Sequence, residues 1–565
     1  MTSTLGADGL ARKALGYSSS LLIMLTLALL IGPLLIIIYS ALSDVPLGQA
    51  PTGLTLDYLI TAVTSPRYLT ALWNTIILAT SSTVLAGVIG ISIGWLYARS
   101  DIPAKKLIRL GILVPFFLAP FIGALAWLLL LQADQGPINR LLMALGFNQI
   151  SPYSVPVMAW ILGLYYAPYL FIFVSTALEN MDSTLEEAGH MQGLTRFKVA
   201  TRITMPLIAP AILSGFLLTF VGTAGQFAIP ALLGGPIRFQ VLPTYIYQML
   251  NAYPSMANQA AALALVLLGV ASAGVALQFH FQSRRSYALL GGKGVRRTLV
   301  PLGKLRWPAF TFVWGVIALS SIVPVGMLLW VSFVEFYDAT ISNAVFTLAN
   351  YEKILAVRGI TRRAIENTLF LAIVAALVAV AMAVFINWIL LRRRSWFSPL
   401  LEQALFIPAA VPNVVLATGL LWIFLFLPLP IYGTIWILLI GYVVAFLTHA
   451  VRNVGSSFQQ IDKSMEEAGS MSGLSTPGIV RHITLPLLRP GIIGAWTLLF
   501  IIYIRELSVS IFLYSPGNEV LSVIIYNRWL EGDWGTMAAL SCLQILIVGT
   551  IVVATVRIFK VNLIR

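Results

Sequence analysis

Run after run of apolar residues, parted by short polar stretches, limits this 565-residue chain more than any other feature. A helix that crosses the hydrocarbon of a bilayer needs about 20 apolar residues, because each advances the chain by only about 1.5 Å. Twelve runs meet that length. Six lie at 19–42, 70–97, 108–131, 155–177, 207–234 and 259–281, and six at 308–332, 367–391, 404–427, 432–451, 487–514 and 537–558. Run 19–42 exceeds the usual h-region of about 7–15 residues and no small-residue cleavage site closes it, so it reads as a first spanning helix. Pro115 and Pro120 interrupt the third run, and Pro408 and Pro412 the ninth. Such prolines are tolerated in membrane helices when neighbours satisfy the freed carbonyls.

Composition agrees. Hydrophobic residues make up 59% and charged residues 10%, against about 45–50% and about 25% in soluble proteins. That excludes a cytosolic enzyme, a nucleic-acid binder and a disordered scaffold. The net charge of +14 comes from Lys and Arg held in short loops, which fits the positive-inside rule and not a nucleic-acid partner. Placing both termini inside puts 26 of the 35 Lys and Arg there. Among them are Arg12, Lys13, Arg99, Arg284, Arg285, Arg392, Arg393, Arg394, Lys560 and Arg565. The reverse topology would put them outside. The one cysteine, Cys542, permits neither an intramolecular disulfide nor a Cys-based metal site.

The chain repeats itself. Asn74-Thr75 and Asn367-Thr368 open equivalent spans at an offset of 293, which Pro115 and Pro408 keep. Farther on the offset is 280. There 183–210 (STLEEAGHMQGLTRFKVATRITMPLIAP) and 463–490 (KSMEEAGSMSGLSTPGIVRHITLPLLRP) agree at 12 of 28 positions. Six spans separate the copies, so both repeated loops face one side and the duplication is parallel. The expected organisation is a first half at 1–282 with its loop at 178–208, a basic linker at 283–307, and a second half at 308–565 with its loop at 452–488. Asn74 and Asn367 are expected to cap helix starts.

Each repeated loop carries helix punctuation. Thr184-x-x-Glu187 and Ser464-x-x-Glu467 have the spacing of capping boxes, with Asp182 and Asp462 just ahead. Gly193 and Gly473 follow where a positive φ ends a helix. A second short helix is expected next, and Pro206 or Pro486 then marks entry to a span. A plain connector has no reason to keep glutamate, glycine and proline at matched spacing twice.

These residues resemble the EAA motif of permease subunits in binding-protein-dependent ABC importers. The first copy is Glu187-Ala188-Gly189, Gly193, Ile203 and Met205-Pro206. The second is Glu467-Ala468-Gly469, Gly473, Ile483 and Leu485-Pro486. Gly189 and Gly469 stand where the family has alanine. The resemblance implies an all-α integral membrane protein of the type I importer permease fold, with about twelve helices in two parallel six-helix halves. It further implies that the loops are coupling helices seated on two ATPase subunits, with Glu187 and Glu467 as acidic contacts. A periplasmic or lipid-anchored binding protein would deliver the substrate, in the bacterial inner membrane. ATP and Mg would be held by the ATPase, since no G-x-x-x-x-G-K-[ST] occurs here. No cofactor, metal site or catalytic constellation is expected in this chain.

A fused twelve-span layout resembles the ferric-iron branch of that family. So do Arg505-Glu506-Leu507-Ser508, Ser515-Pro516-Gly517, Trp529-x-Glu531-Gly532 and, in the first half, 225–234 (GQFAIPALLG). Relatives carrying thiamine, aminoethylphosphonate or polyamines, and a twelve-span secondary transporter, are the alternatives. Arg505 and Glu506 fall in an apolar run, where charge is costly and marks function by default. Gln226 aligns with Glu506, and Gly225 with Arg505. Arg505, Glu506 and Gln226 are therefore expected on the translocation path or at its gate.

Overall fold

The computed structural model describes residues 2–559 except 46–52, 183, 255, 284–298, 336, 338–344, 356–358, 393–397, 406 and 428. The basic residues expected at Arg284, Arg285, Lys293, Arg296, Arg297, Arg393, Arg394, Lys560 and Arg565, and most of the linker, lie outside them.

Apolar runs this long leave the backbone no partner but itself, and among the described residues every regular element longer than an isolated bridge is a helix. The first half comprises α1 (Thr2–Leu42), α2 (Pro66–Arg99), α3 (Lys105–Phe117), α4 (Pro120–Leu130), α5 (Val155–Asn180), α6 (Thr184–Met191), α7 (Met205–Ala224), α8 (Leu242–Leu250) and α9 (Ala257–Ser283). The second comprises α10 (Gly303–Ser332), α11 (Ile360–Arg392), α12 (Asn413–Phe426), α13 (Ile435–Phe458), α14 (Lys463–Met471), α15 (Leu485–Ile504), α16 (Leu521–Leu530) and α17 (Trp534–Phe559).

Ten helices, not twelve, are individually long and apolar enough to cross a membrane among the described residues. The two missing spans are the proline-interrupted ones. In the first half, α3 and α4 meet at 93° across the Pro115–Pro120 stretch and make an eleventh span if taken as one. In the second, the run 404–427 is cut into Ile407–Ala410 and the 14-residue α12, with Pro412 at the break. Proline lacks an N–H and its ring clashes with the carbonyl four residues back, so each run hinges instead of crossing straight.

A second correction concerns the fifth span of each half. The apolar runs continue to 234 and 514, but the helices stop at Ala224 and Ile504. The chain then re-enters through short turns, at Pro230–Gly234 and at Ser510–Leu513, before α8 and α16. Hydrophobicity survives the break because these segments are buried. Their carbonyls find partners: Gln544 Nε2 donates to Ile504 O (2.7 Å), and Ser510 and Ser522 hydroxyls both donate to Glu506 O (2.8 and 2.7 Å).

Small residues set the helix spacing. A Cβ on Gly90 would stand 2.7 Å from Ala167 O of α5, so α2 and α5 touch backbone to backbone there. The halves meet along α1 with α12 and α10 with α4, and in the aromatic contact of Phe227 with Phe512 (5.8 Å between ring centroids).

Candidate functional site

The repeated loops form matching structures at one end of the bundle. Gly193 (φ +82°) and Gly473 (φ +85°) end α6 and α14, as their position in sequence requires. The helix starts differ from expectation. Asp462, not Ser464, caps α14, accepting from Ser464 N (2.9 Å), and Asp182 accepts from Thr184 N (3.1 Å) in the same way. The amide donation to Asp462 holds its carboxyl below the ordinary value of 3.8. The second short helix is not separate. Arg196–Val199 and Thr476–Ile479 pass through π-turns at Ala200–Thr204 and Val480–Thr484 straight into α7 and α15. Pro206 and Pro486 would clash with the carbonyls of Arg202 and His482 in an unbroken helix, and the extra residue of a π-turn relieves that clash.

The first face of α6 and α14 is pinned inward. Glu186 and Glu466, one residue before the motif glutamates, accept from the hydroxyls of Thr204 (2.7 Å) and Thr484 (3.3 Å). The same carboxylates pair with Arg99 (3.5 Å) and Arg392 (2.9 Å), the last residues of α2 and α11. Each arginine also donates to the carbonyl of Met181 (3.3 Å) or Ile461 (3.0 Å). All four partners obey the offsets of 293 and 280. Gly189 and Gly469 explain the departure from alanine. A Cβ at 189 would stand 2.6 Å from Ile203 Cδ1, and one at 469 closer still to Ile483, so glycine lets the helix settle on the π-turn.

The opposite face is exposed to solvent. Glu187, Ala188, Glu467 and Ala468 are exposed. Met191 and Met471 are each 90% exposed, and Phe197 77%. These side chains stand at the loop tips, beside the glycine turns.

The other candidate site is the seam between halves. Arg505 caps the C-terminus of α15 and is not inside a span. Its Nη1 donates across the seam to Phe116 O and to Leu118 O (3.1 Å), the carbonyls at the α3–α4 hinge, and its guanidinium lies 5.1 Å from the Phe116 ring centre. Arg505 and Glu506 form no ion pair with each other among the described residues. Glu506 instead accepts from Val509 N (2.9 Å). The equivalent Gly225 faces Pro412 at the other hinge, where a Cβ would come within 2.8 Å of the ring. Gln226 is buried beside it. Each half thus presses its α7 or α15 terminus on the broken helix of the other half, once through glycine and once through arginine.

The family model described as "Binding-protein-dependent transport system inner membrane component" matches residues 86–287 and again 375–563. The chain belongs to that family. It is a fused double permease of an ABC importer, and membership implies an ATPase and a substrate-binding protein as partners. Over 83% of both chains it is 26% identical to "Probable ABC transporter permease protein y4fN" of Sinorhizobium fredii. It is 25% identical to "Ferric transport system permease protein FbpB" of Actinobacillus pleuropneumoniae, over 72% of this chain and 58% of that one. It is 23% identical to "Fe(3+)-transport system permease protein FbpB 2" of Haemophilus influenzae, over 86% and 89%.

Two sets of residues in this permease escape a reading of motifs alone. The inward-facing acid of each loop is Glu186 or Glu466, and only its partner arginine, Arg99 or Arg392, signals it. Asn74 and Asn367 cap no helix start. They lie two turns inside α2 and α11 and donate to Gln240 O and Glu519 O (both 3.0 Å), at the end of the bundle opposite the loops. Next to them, Thr75 and Thr368 hydroxyls accept from Leu242 N (2.9 Å) and Leu521 N (2.7 Å), the first amides of α8 and α16. His449 lies within α13, next to the ring of Phe446 (6.0 Å between ring centroids).

Proposed function

We propose that this permease imports ferric iron, docking one ATPase copy on each loop, at 178–208 and 452–488. The observation that carries the docking reading is the pair of protruding tips. Met191 and Met471, at the same place in both copies, are 90% exposed, with Leu185 and Phe197 also exposed in the first loop and Met465 and Leu474 in the second. Exposed apolar side chains grouped on one loop in this way favour a protein contact. Glu187 and Glu467, with Ala188 and Ala468, form the outward helix face beside them. Gly189, Gly193, Pro206 and their counterparts Gly469, Gly473 and Pro486 set its shape. The partner ATPase would hold ATP and Mg, and its closure would pull on both loops so that the halves rock. Both termini are cytoplasmic in this reading, with the linker at 283–307 between halves 1–282 and 308–565. A binding protein engages the opposite face.

Arg505, Glu506 and Gln226 are assigned to the gate. Arg505 ties one half to the hinge of the other, so the tie must break when the halves part. Iron is favoured by the fused layout and by relatives named for ferric transport. A second reading, a phosphonate-type oxyanion, is favoured by Arg505 itself, because a fixed cation at the seam attracts anionic cargo.

Co-purification tests the docking. A tagged permease is extracted in mild detergent beside a Glu187→Arg, Glu467→Arg double variant. An ATPase retained by the parent and lost from the variant supports the reading, and a permease that purifies alone in both cases refutes it. Uptake of radiolabelled ferric iron against 2-aminoethylphosphonate by membrane vesicles loaded with ATP separates the two cargoes.

A further inference from the structure

The inner and outer clamps described above sit on the same helix. In α2, Arg99 grips the loop helix α6 at one end and Asn74-Thr75 grips the start of α8 at the other. In α11, Arg392 grips α14 and Asn367-Thr368 grips the start of α16. The spacing from threonine to arginine is 24 residues in both, a rise of about 36 Å, which exceeds the hydrocarbon thickness of about 30 Å. Neither grip is a generic packing contact. The inner one is a nearly buried ion pair, with side-chain exposures of 3% and 11% in the first half and 12% and 17% in the second. Such a pair is weak evidence for stability, because apolar residues of similar volume would hold as well. The outer one satisfies a backbone amide at a helix start, a group with no partner inside its own helix. Both recur in the second half, the inner grip at offsets of 293 and 280 and the outer at 293 and 279, so four separate side-chain contacts occur twice.

We propose that α2 and α11 are coupling struts, and that Arg99, Arg392, Asn74, Asn367, Thr75 and Thr368 are positioning residues. They lock each strut to an ATPase-docking loop at one end and to the re-entrant segment beside the seam at the other. A displacement of α6 or α14 is then carried along one rigid helix to 240–242 or 519–521. From there it reaches the re-entrant turns that follow Gly225 and Arg505. The contiguous clamps supply the physical link that mere proximity would not. The strut proposal rests on the docking reading above.

The test uses the complete complex of permease, ATPase and binding protein in nanodiscs. Thr75→Val plus Thr368→Val removes the outer acceptors at nearly constant volume and touches no docking residue. The ratio of binding-protein-stimulated to basal ATP hydrolysis is expected to fall tenfold or more, with the ATPase still bound in parental amount. Thr75→Ser plus Thr368→Ser should restore the ratio. An unchanged ratio in the valine variant overturns the struts while leaving docking intact. Loss of the ATPase from the parent itself would instead overturn the docking reading and the struts with it. Hydrogen exchange at Leu242 and Leu521 gives a second measurement that does not need the valine variant to assemble. Vanadate trapping should alter their exchange in the parent and not in Arg99→Met plus Arg392→Met. Equal responses in both overturn the proposal.

Discussion

Replacing Arg505 by methionine isolates the tie between halves. Methionine keeps most of the apolar stem and removes the charge. Two hydrogen bonds from a charged donor are lost, at about 1.5–3 kcal/mol each in favourable cases. Because Nη1 serves both carbonyls, their sum is nearer about 2–4 kcal/mol. The contact with the Phe116 ring adds about 0.5–1 kcal/mol for a half-buried site. Water reaching the freed Phe116 and Leu118 carbonyls returns part of this, which leaves about 2–3 kcal/mol. All the partners lie on the other half, so the loss falls on the joined arrangement and not on the folding of either half. At about 1.4 kcal/mol per factor of ten, the balance between joined and parted halves shifts by about 30- to 150-fold. The assay uses the ATPase-bound permease in nanodiscs, with Cys542→Ser and Leu118→Cys to report access to the hinge. Arg505→Met is expected to raise basal ATP hydrolysis without binding protein and to speed maleimide labelling of residue 118. Phe116→Leu, which keeps both carbonyl bonds, should move both readouts only severalfold. Basal hydrolysis and labelling both unchanged in Arg505→Met would refute the tie.

Three further outcomes follow from the geometry. Glu186→Ala leaves Arg99, only 2% exposed, without its carboxylate, at a cost of about 3–5 kcal/mol. Glu466→Ala should cost clearly less because its pair is more exposed, and equal losses of thermal stability in detergent would contradict this. Gly225→Ala drives a methyl into Pro412, an overpacking of about 1–3 kcal/mol at the seam, and should slow uptake while the amount of folded permease holds. If uptake is parental, the close approach has no consequence for the cycle. The Asp462 carboxyl is depressed in the folded loop, so its support of α14 is complete above its ordinary value of 3.8 and is lost as pH falls through the lower folded value. Protection of 463–471 against hydrogen exchange, taken relative to the intrinsic amide rates, should therefore fall as pH drops below 3.8 in the parent and show no such step in Asp462→Asn. The same step in both would remove Asp462 as the cause.

Much of the architecture is legible in the sequence because its signals are local. Apolar length gives the spans, proline gives the hinges, and the positive-φ turns at Gly193 and Gly473 follow from position alone. The misreadings share one cause. Apolar length cannot separate a spanning helix from a buried re-entrant turn, so the runs through Gly225 and Arg505 read as continuous. Capping-box spacing favours Thr184 and Ser464 as caps, although the aspartates two residues earlier accept from the amides of Thr184 and Ser464 themselves. Asn74 and Asn367 bond to chain 166 and 152 residues away, and no local pattern carries that. Glu186 and Glu187 are adjacent, yet a helix turns them about 100° apart, and only the arginine waiting on α2 decides which one is buried.

The seam has a consequence for how such a molecule can be assembled. Two identical subunits related by a twofold axis must carry the same residue at both equivalent places. Here position 505 holds arginine and position 225 holds glycine, and the surfaces they meet have diverged as well. Pro412 fills the space beside Gly225, while its counterpart in the other hinge is Ala119. An arginine at 225 would collide with the Pro412 ring, and a glycine at 505 would strand the Phe116 and Leu118 carbonyls. Joining both copies in one polypeptide guarantees that each surface meets its complement in every molecule made. Separate expression of two first halves, or of two second halves, would pair like with like and leave neither seam closed.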